Sequence, residues 1–208
     1  MQVDMKLEHK DRIVLTLTII LVLFLALLYY AQKRTPDIKN YPNERTEIIA
    51  FGDSLVEGVG SSSGTGFVGQ LEVILNTDII NMGVSGNTTR DALLRIEEVT
   101  DRNAAMVLIS LGGNDFLQRI DPEQTRTNLD RIISKIQNDG AMVMVLGVPG
   151  NSSIYKDLAE DHRTAYVSNI LKGLIGRDKY MADPIHPNDT GYRRIAEKIA
   201  PELKKFIQ

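Results

Sequence analysis

The chain contains no cysteine. That excludes disulfides, thiolate zinc sites, a cysteine nucleophile and a lipid anchor on cysteine. It leaves the compartment open, because a cysteine-free protein works on either side of a membrane. An excess of basic residues is missing too: 24 Lys and Arg stand against 27 Asp and Glu, a net charge of -3. No run of Lys and Arg forms a stripe that could track phosphates, so nucleic acid is not an expected partner. The chain has only three histidines, and no cluster of His and carboxylates has metal-ligand spacing. No metal and no other cofactor is therefore implied. Internal repeats and long low-complexity tracts are also absent. What remains is 208 residues, 43% hydrophobic and 25% charged, the balance of a globular protein with room for one ordinary domain plus an appendage.

The appendage announces itself by another absence: residues 13–31 carry no charge. About 20 apolar residues span a bilayer core as a helix. Lys10 and Arg12 precede the run, Lys33 and Arg34 follow it, and Tyr29 and Tyr30 suit an interfacial belt. A cleaved signal peptide is the alternative. Its apolar core is usually shorter, and a small-x-small site ending at Ala31 would need a small residue where Tyr29 stands. The expectation is a tail at 1–12 and a retained transmembrane helix at 13–31, giving a single-pass membrane protein. Lys6, Lys10 and Arg12 before the run balance Lys33, Arg34, Lys39 and Arg45 after it, so the positive-inside rule does not decide the orientation. The remainder of the chain is expected on the extracytoplasmic side. Residues 32–45 are polar and contain Pro36 and Pro42, which reads as an extended stalk ahead of a domain at 46–208.

In that domain short apolar runs alternate with helical patterns. Residues 47–51, 78–82, 105–111 and 142–148 are aliphatic or β-branched and bounded by Gly, Asn or Asp, as strands are. Helical periodicity covers 67–75, 89–99 and 122–138, the last through Leu129, Ile132, Ile133 and Ile136. An amphipathic helix at 187–207 closes the chain through Ile195, Ile199 and Leu203. Alternating strands and helices imply an α/β fold, a parallel sheet covered on both faces. Such sheets bind ligands beyond the carboxyl ends of their strands.

Chemistry-bearing residues follow those strand ends. Gly52-Asp53-Ser54-Leu55 comes directly after the first strand, on a tight turn that Gly52 permits. A serine is a weak nucleophile until a base takes its proton. Of the three histidines, His9 lies in the N-terminal tail and His162 in a polar surface segment. His186, in Asp183-Pro184-Ile185-His186-Pro187-Asn188, sits just ahead of the last helix. Asp183 is close enough to hold one imidazole nitrogen while the other faces Ser54. Donors for a developing oxyanion are available at two more strand ends. Asn81-Met82-Gly83-Val84-Ser85-Gly86-Asn87 follows the second strand, where Gly83 reads as plain turn chemistry, and Leu111-Gly112-Gly113-Asn114-Asp115 follows the third, where Asn114 can present its amide. Asp53 and Asp115 are expected to support the neighbouring backbone turns.

These blocks together resemble the SGNH hydrolases, also called GDSL esterases and lipases, from about residue 47 to the C-terminus. The blocks that carry the likeness are Gly52-Asp53-Ser54-Leu55, Gly86, Gly112-x-Asn114-Asp115 and Asp183-x-x-His186. The resemblance implies a three-layer α/β/α flavodoxin-like fold. It implies Ser54, Asp183 and His186 as a catalytic triad, with the Ser54 and Gly86 N–H groups and the Asn114 amide as oxyanion hole. The Gly-Gly-Asn-Asp and Ile-His-Pro-Asn phrases are similar to those of the small bacterial thioesterase, lysophospholipase and arylesterase branch. Pro184 departs from the Gly that many relatives carry and should stiffen the loop.

Two further patterns are read as incidental. Gly60-Ser61-Ser62-Ser63-Gly64 matches a G-x-S-x-G elbow, and Gly64-Thr65-Gly66-Phe67-Val68-Gly69 a dinucleotide fingerprint, yet neither follows a strand. The first reads as a flexible loop on the substrate side. The expected function is a membrane-anchored serine esterase acting on carboxylic or thioesters, such as lysophospholipids or other small-molecule or lipid acyl esters. The alternatives are a carbohydrate O-acetylesterase of envelope glycan, a binding module that kept the fold without turnover, and a subunit of an envelope assembly whose esterase activity is incidental.

Overall fold

The computed structural model describes residues 9–32, 37–150 and 152–207, and the chain forms two compact units, Met1–Asp37 and Ile38–Gln208. The first holds α1 (His9–Gln32), a helix of 24 residues. All of its described side chains, from Lys10 to Leu27, are exposed. Thr16 and Thr18 turn their hydroxyls onto the carbonyls of Arg12 and Val14, one helical turn back. Among the described residues no helix is long and apolar enough to cross a membrane. The described side chains of α1 begin with Lys10, Asp11 and Arg12, and those at 28–31, the far end of the expected span, lie outside the described residues.

The second unit runs β1 (Ile48–Gly52), α2 (Ser54–Glu57), α3 (Gly66–Leu75), β2 (Ile80–Gly83), α4 (Thr89–Leu94), α5 (Glu97–Thr100), β3 (Met106–Ser110), α6 (Gly113–Leu117), α7 (Pro122–Asn138), β4 (Met142–Leu146), α8 (Ser152–Asp161), β5 (Ala165–Val167) and α9 (Asp189–Leu203). The five strands form one parallel sheet in the order β2-β1-β3-β4-β5. Every residue of β1, β3 and β4 is buried, as a parallel sheet covered on both faces requires. One helical layer pairs α3 with α9, and the other joins α4, α5, α7 and α8. Leu129, Ile132, Ile133 and Ile136 form the buried stripe of α7, and Ile195, Ile199 and Leu203 that of α9. Truncating one of these to Ala would cost about 2–5 kcal/mol, since the close-packed core closes poorly over the gap.

Some elements differ from the sequence-based expectation. The helix expected at 89–99 is broken into α4 and α5 at Arg95 and Ile96. The last helix begins only at Asp189, because Asn188 caps it by accepting from the Gly191 N–H at 3.1 Å. β5 has only three residues, too few for a readable alternation, and α8 has no counterpart in that expectation although Ile154, Tyr155, Leu158 and Ala159 are buried at helical spacing. Residues 38–45, expected as part of the stalk, are fastened to the second unit. Asn40 donates to the carbonyls of Gln137 and Ala141, and Asn43 to that of Gly140. Arg45 pairs with Asp139 at 3.2 Å, and Tyr41 meets Phe206 edge-on. The two asparagine amides satisfy carbonyls around the end of α7 that its helical ladder leaves open. All of this lies at the amino edge of the sheet.

The carboxyl edge is level. Gly52 stands in register with Gly83 on one side and Ser110 on the other. The chain leaves β1 for β2 on one flank and returns to β3 on the other, so the crevice between β1 and β3 is a topological switch point.

Candidate active site

Ser54 opens α2 immediately beyond β1 and is 8% exposed. Asp53 caps the helix, its carboxylate accepting from the Leu55 N–H at 3.0 Å. Gly52 is a close-approach glycine rather than a turn glycine: a Cβ there would run into the Ser110 carbonyl and the Val56 side chain. Gly83 is of the same kind, since a Cβ would strike the Glu57 backbone at the end of α2. The expectation of turn chemistry at both positions is corrected accordingly. What the sites need is room for β3 and α2 to pack against the strand ends, and no left-handed backbone is involved.

His186 reaches Ser54 from the loop ahead of α9. Its Nε2 lies 3.0 Å from Ser54 Oγ, and its Nδ1 lies 2.7 Å from Asp183 Oδ2. The other oxygen of Asp183 accepts from the Ile185 and His186 N–H groups at 2.8 and 2.7 Å. One carboxylate thus shapes the loop and orients the ring. Burial pushes the Asp183 carboxyl up, but the hydrogen bond from His186 and the two backbone N–H groups outweigh it and hold it below the usual value. An ionised Asp183 takes the proton on Nδ1, which leaves the Nε2 lone pair facing the serine hydroxyl. The loop is closed by a bridge between Met181 and Pro187 and by the Ala182 N–H donating to the His186 carbonyl.

On the opposite side Asn114, in the first turn of α6, donates one amide N–H to the Asn87 carbonyl at 2.9 Å. A carbonyl partner identifies the donating atom as nitrogen and fixes the amide plane, leaving its second N–H to point elsewhere. Asn114, Ser54 and His186 line one pocket of about 180 Å³ whose other walls include Phe116, Leu171 and Ile185. Pro184 lines it as well. Gly86 is not among the lining residues. It is exposed with φ +80°, the left-handed region that favours glycine, and precedes the Asn87 whose carbonyl holds Asn114. The structure therefore brings Ser54, His186 and Asn114 to one pocket, sets Asp183 behind the His186 ring, and places Gly86 on the loop that holds Asn114.

The remaining candidates have other partners. His162 pairs with Asp130 of α7 at 2.8 Å, and the His9 side chain lies outside the described residues. Asp115 is fully buried and accepts from the Thr89 N–H and hydroxyl and from the Thr125 hydroxyl, tying α6 to α4 and α7. Ser62 bonds to a carboxylate rather than to a histidine: its N–H and hydroxyl donate to Asp189 at 2.9 and 2.7 Å. With the Tyr192 hydroxyl donating to the Val59 carbonyl, this fastens the loop that was expected to be flexible onto α9. Among the described residues no group of three acidic or histidine side chains could hold a metal ion. Sequence reasoning missed Arg95, which bonds to Gly52, Met82 and Asn87. An arginine inside an apolar helical pattern was its only signal.

Known proteins resemble this chain in sequence and in fold. The model of the GDSL-like Lipase/Acylhydrolase family matches residues 50–194. Esterase TesA of Pseudomonas aeruginosa is 31% identical over 178 residues, covering 77% of this chain and 89% of its own length. Thioesterase 1/protease 1/lysophospholipase L1 of Escherichia coli is 26% identical over 179 residues, covering 77% and 84%. The crystal structure of the psychrotrophic esterase EstA from Pseudoalteromonas sp., inhibited by monoethylphosphonate, superposes with a TM-score of 0.68 at 26% identity, covering 77% of this chain and 97% of EstA. The chain thus belongs to the GDSL-like lipase/acylhydrolase family, the SGNH hydrolases, and is an esterase of that family.

Proposed function

We propose that this protein is a serine esterase that works through an acyl-enzyme on Ser54 and is held to a membrane by α1. The observation that carries the catalytic part is the continuous chain Ser54 Oγ, His186 Nε2, His186 Nδ1, Asp183 Oδ2, with steps of 3.0 and 2.7 Å. Ser54 Oγ attacks the ester or thioester carbonyl carbon as its proton passes to His186 Nε2. The tetrahedral oxyanion is held by the Asn114 amide and by the N–H groups of Ser54 and Gly86; the Ser54 N–H, at the first position of α2, has no place in the helical ladder. Collapse expels the alcohol or thiol, which takes the proton back from His186. Water then repeats the sequence and releases the acid.

Phe116, Leu117, Leu171, Ile175 and Ile185 make the pocket wall apolar, which favours a hydrocarbon acyl chain over an acetyl group. The anchor rests on the uncharged run at 13–31 within a continuous helix, on its exposed apolar side chains, and on threonine hydroxyls satisfied within the helix. Ester-bearing lipids and long acyl thioesters are the substrates that suit both features. The deciding experiment is labelling the full chain with a fluorophosphonate probe beside its Ser54→Ala variant. Labelling of the parent and none of the variant is expected, and equal labelling of both would overturn the reading. Retention of the full chain in membranes after carbonate washing tests the anchor separately, and its release into the wash would remove that part.

A further inference from the structure

Arg95 is mostly buried, with 14% of its side chain exposed, at the point where α4 ends and α5 begins. Its Nη2 donates to the carbonyl of Gly52 at 2.9 Å and to that of Met82 at 3.1 Å. Its Nε donates to Asn87 Oδ1 at 2.8 Å. The guanidinium lies over the Phe51 ring, 4.3 Å from its centroid, so its plane is fixed by stacking as well as by bonds. Glu98, the nearest carboxylate, is 3.7 Å away and largely exposed, too loose a pairing to account for the placement.

The groups it holds share a relation. Gly52 is two residues before Ser54 and Asn87 one residue after Gly86. The backbone carbonyl of Asn87 is the acceptor that fixes the Asn114 amide. One planar, permanently charged fork therefore holds the residue two before Ser54 and the residue one after Gly86, and the backbone carbonyl of that second residue holds the Asn114 amide. Within residues 83–87 the Asn87 N–H donates to the Val84 carbonyl; beyond them the Gly83 N–H reaches Asn81, the Val84 N–H the Gly52 carbonyl that Arg95 also holds, and the Ser85 N–H Glu57.

We infer that Arg95 is a positioning residue for the oxyanion hole, acting through the Asn87 side chain and the β1 and β2 carbonyls to hold the donors where the tetrahedral oxygen forms. It touches no substrate. The inference rests on the proposed esterase mechanism and adds to it the element that aligns the donors before the reaction begins. Lysine cannot replace it, because an ammonium lacks the fork that spans three acceptors in one plane.

The test measures kcat on active-site-titrated Arg95→Lys, KM for a p-nitrophenyl ester, and the affinity of a trifluoromethyl ketone, which forms a tetrahedral oxyanion on the serine. The expected result is a fall in kcat of roughly 10- to 100-fold, the scale of an ångström-sized misplacement. KM stays near the parent value, and the ketone weakens by the same factor as kcat. In combination with Asn114→Ala, the Arg95→Lys change should cost less than it does alone, because one of the donors it positions is already gone. If Arg95 only rivets the fold, thermal stability drops while titrated molecules turn over at the parental rate; that result overturns the inference, as does a fully multiplicative double variant. Asn87→Ala keeps the strand bonds of Arg95 and cuts only its link to the loop, so it reads the same connection if Arg95→Lys does not fold. Parental kcat in Asn87→Ala would also overturn it. A parent that fluorophosphonate does not label would sink the esterase reading itself, whereas a labelled parent with unaffected variants removes only the role of Arg95.

Discussion

Two carboxylates stand near Ser54, one on the preceding residue and one behind the His186 ring, and their surroundings drive them in opposite directions. Asp53 lies beneath the serine, 2% exposed, and burial pushes its carboxyl up to about 6 although the Leu55 N–H donates to it. Asp183 stands on the open side with its side chain 44% exposed, and hydrogen bonds from His186 and two backbone N–H groups hold it low despite the opposing burial. The residue type is the same at both positions, but only Asp183 is bonded to the imidazole that faces Ser54. A carboxylate that must stabilise an imidazolium needs donors and solvent; one that organises a turn beneath the nucleophile tolerates a protonated form.

The sharpest way to break this contrast is Asp183→Asn. The side chain keeps its shape and its acceptor for the backbone, but it no longer favours the Nδ1–H tautomer, and kcat should fall about 10⁴-fold. A loss below tenfold would mean that the ring is oriented by the loop alone. Asn114→Ala comes next, with kcat lower by roughly 10²–10³ and KM little changed, because the donor is used in the transition state more than in the ground state. A kcat close to the parent's on titrated enzyme would leave Asn114 as a turn cap only.

Asp53→Asn sharpens the comparison from the buried side through stability. The folded state holds the Asp53 proton more tightly than the unfolded chain, whose carboxyl has the ordinary value of 3.8. As pH rises between that value and about 6, the unfolded chain loses its proton first and is favoured, so the parent loses stability across this window and the slope ends above it. The Asn variant should lack this component, and the difference between the two urea-unfolding curves should change by about 3 kcal/mol at most over the window. Parallel pH dependences for parent and variant would show that the burial of Asp53 costs nothing. Asp183 has the opposite sign: its contribution is present above the ordinary carboxyl value and is lost as pH falls through its lower folded value. The smallest effect is expected for Ser62→Ala, which removes an exposed hydroxyl from the exposed Asp189 carboxylate and should change stability little while kcat is kept. Loss of turnover there would show that the loop on α9 belongs to the site.

The first four strands and the long helices α7 and α9 were legible because aliphatic runs and period-3.6 stripes are properties of local sequence. Ser54, Asp183, His186 and Asn114 were legible because each follows a strand or precedes a helix in a short motif. Arg95 was not, since its acceptors lie 43 residues before it at Gly52 and 13 before it at Met82. Nor was the docking of Asn40 and Asn43, whose partners lie about a hundred residues on. The sequence also suggested one helix where Arg95 ends α4, because apolar spacing continues through a break that only the strand ends explain.

What the sequence determined by itself was the α/β alternation, the uncharged N-terminal run and the identity of a serine, a histidine and a carboxylate in the order that suits acyl transfer. These are consequences of periodicity and of residue chemistry, which need no third dimension. Only the tertiary structure decided which glycines serve close approach, that the Ser62 loop is fastened to Asp189, that Asp53 and Asp183 carry opposite shifts, and that Arg95 gathers the ends of β1 and β2 and Asn87. Each of these depends on burial or on a contact between residues far apart in the chain, and hydrogen bonds and desolvation act on distance in space alone.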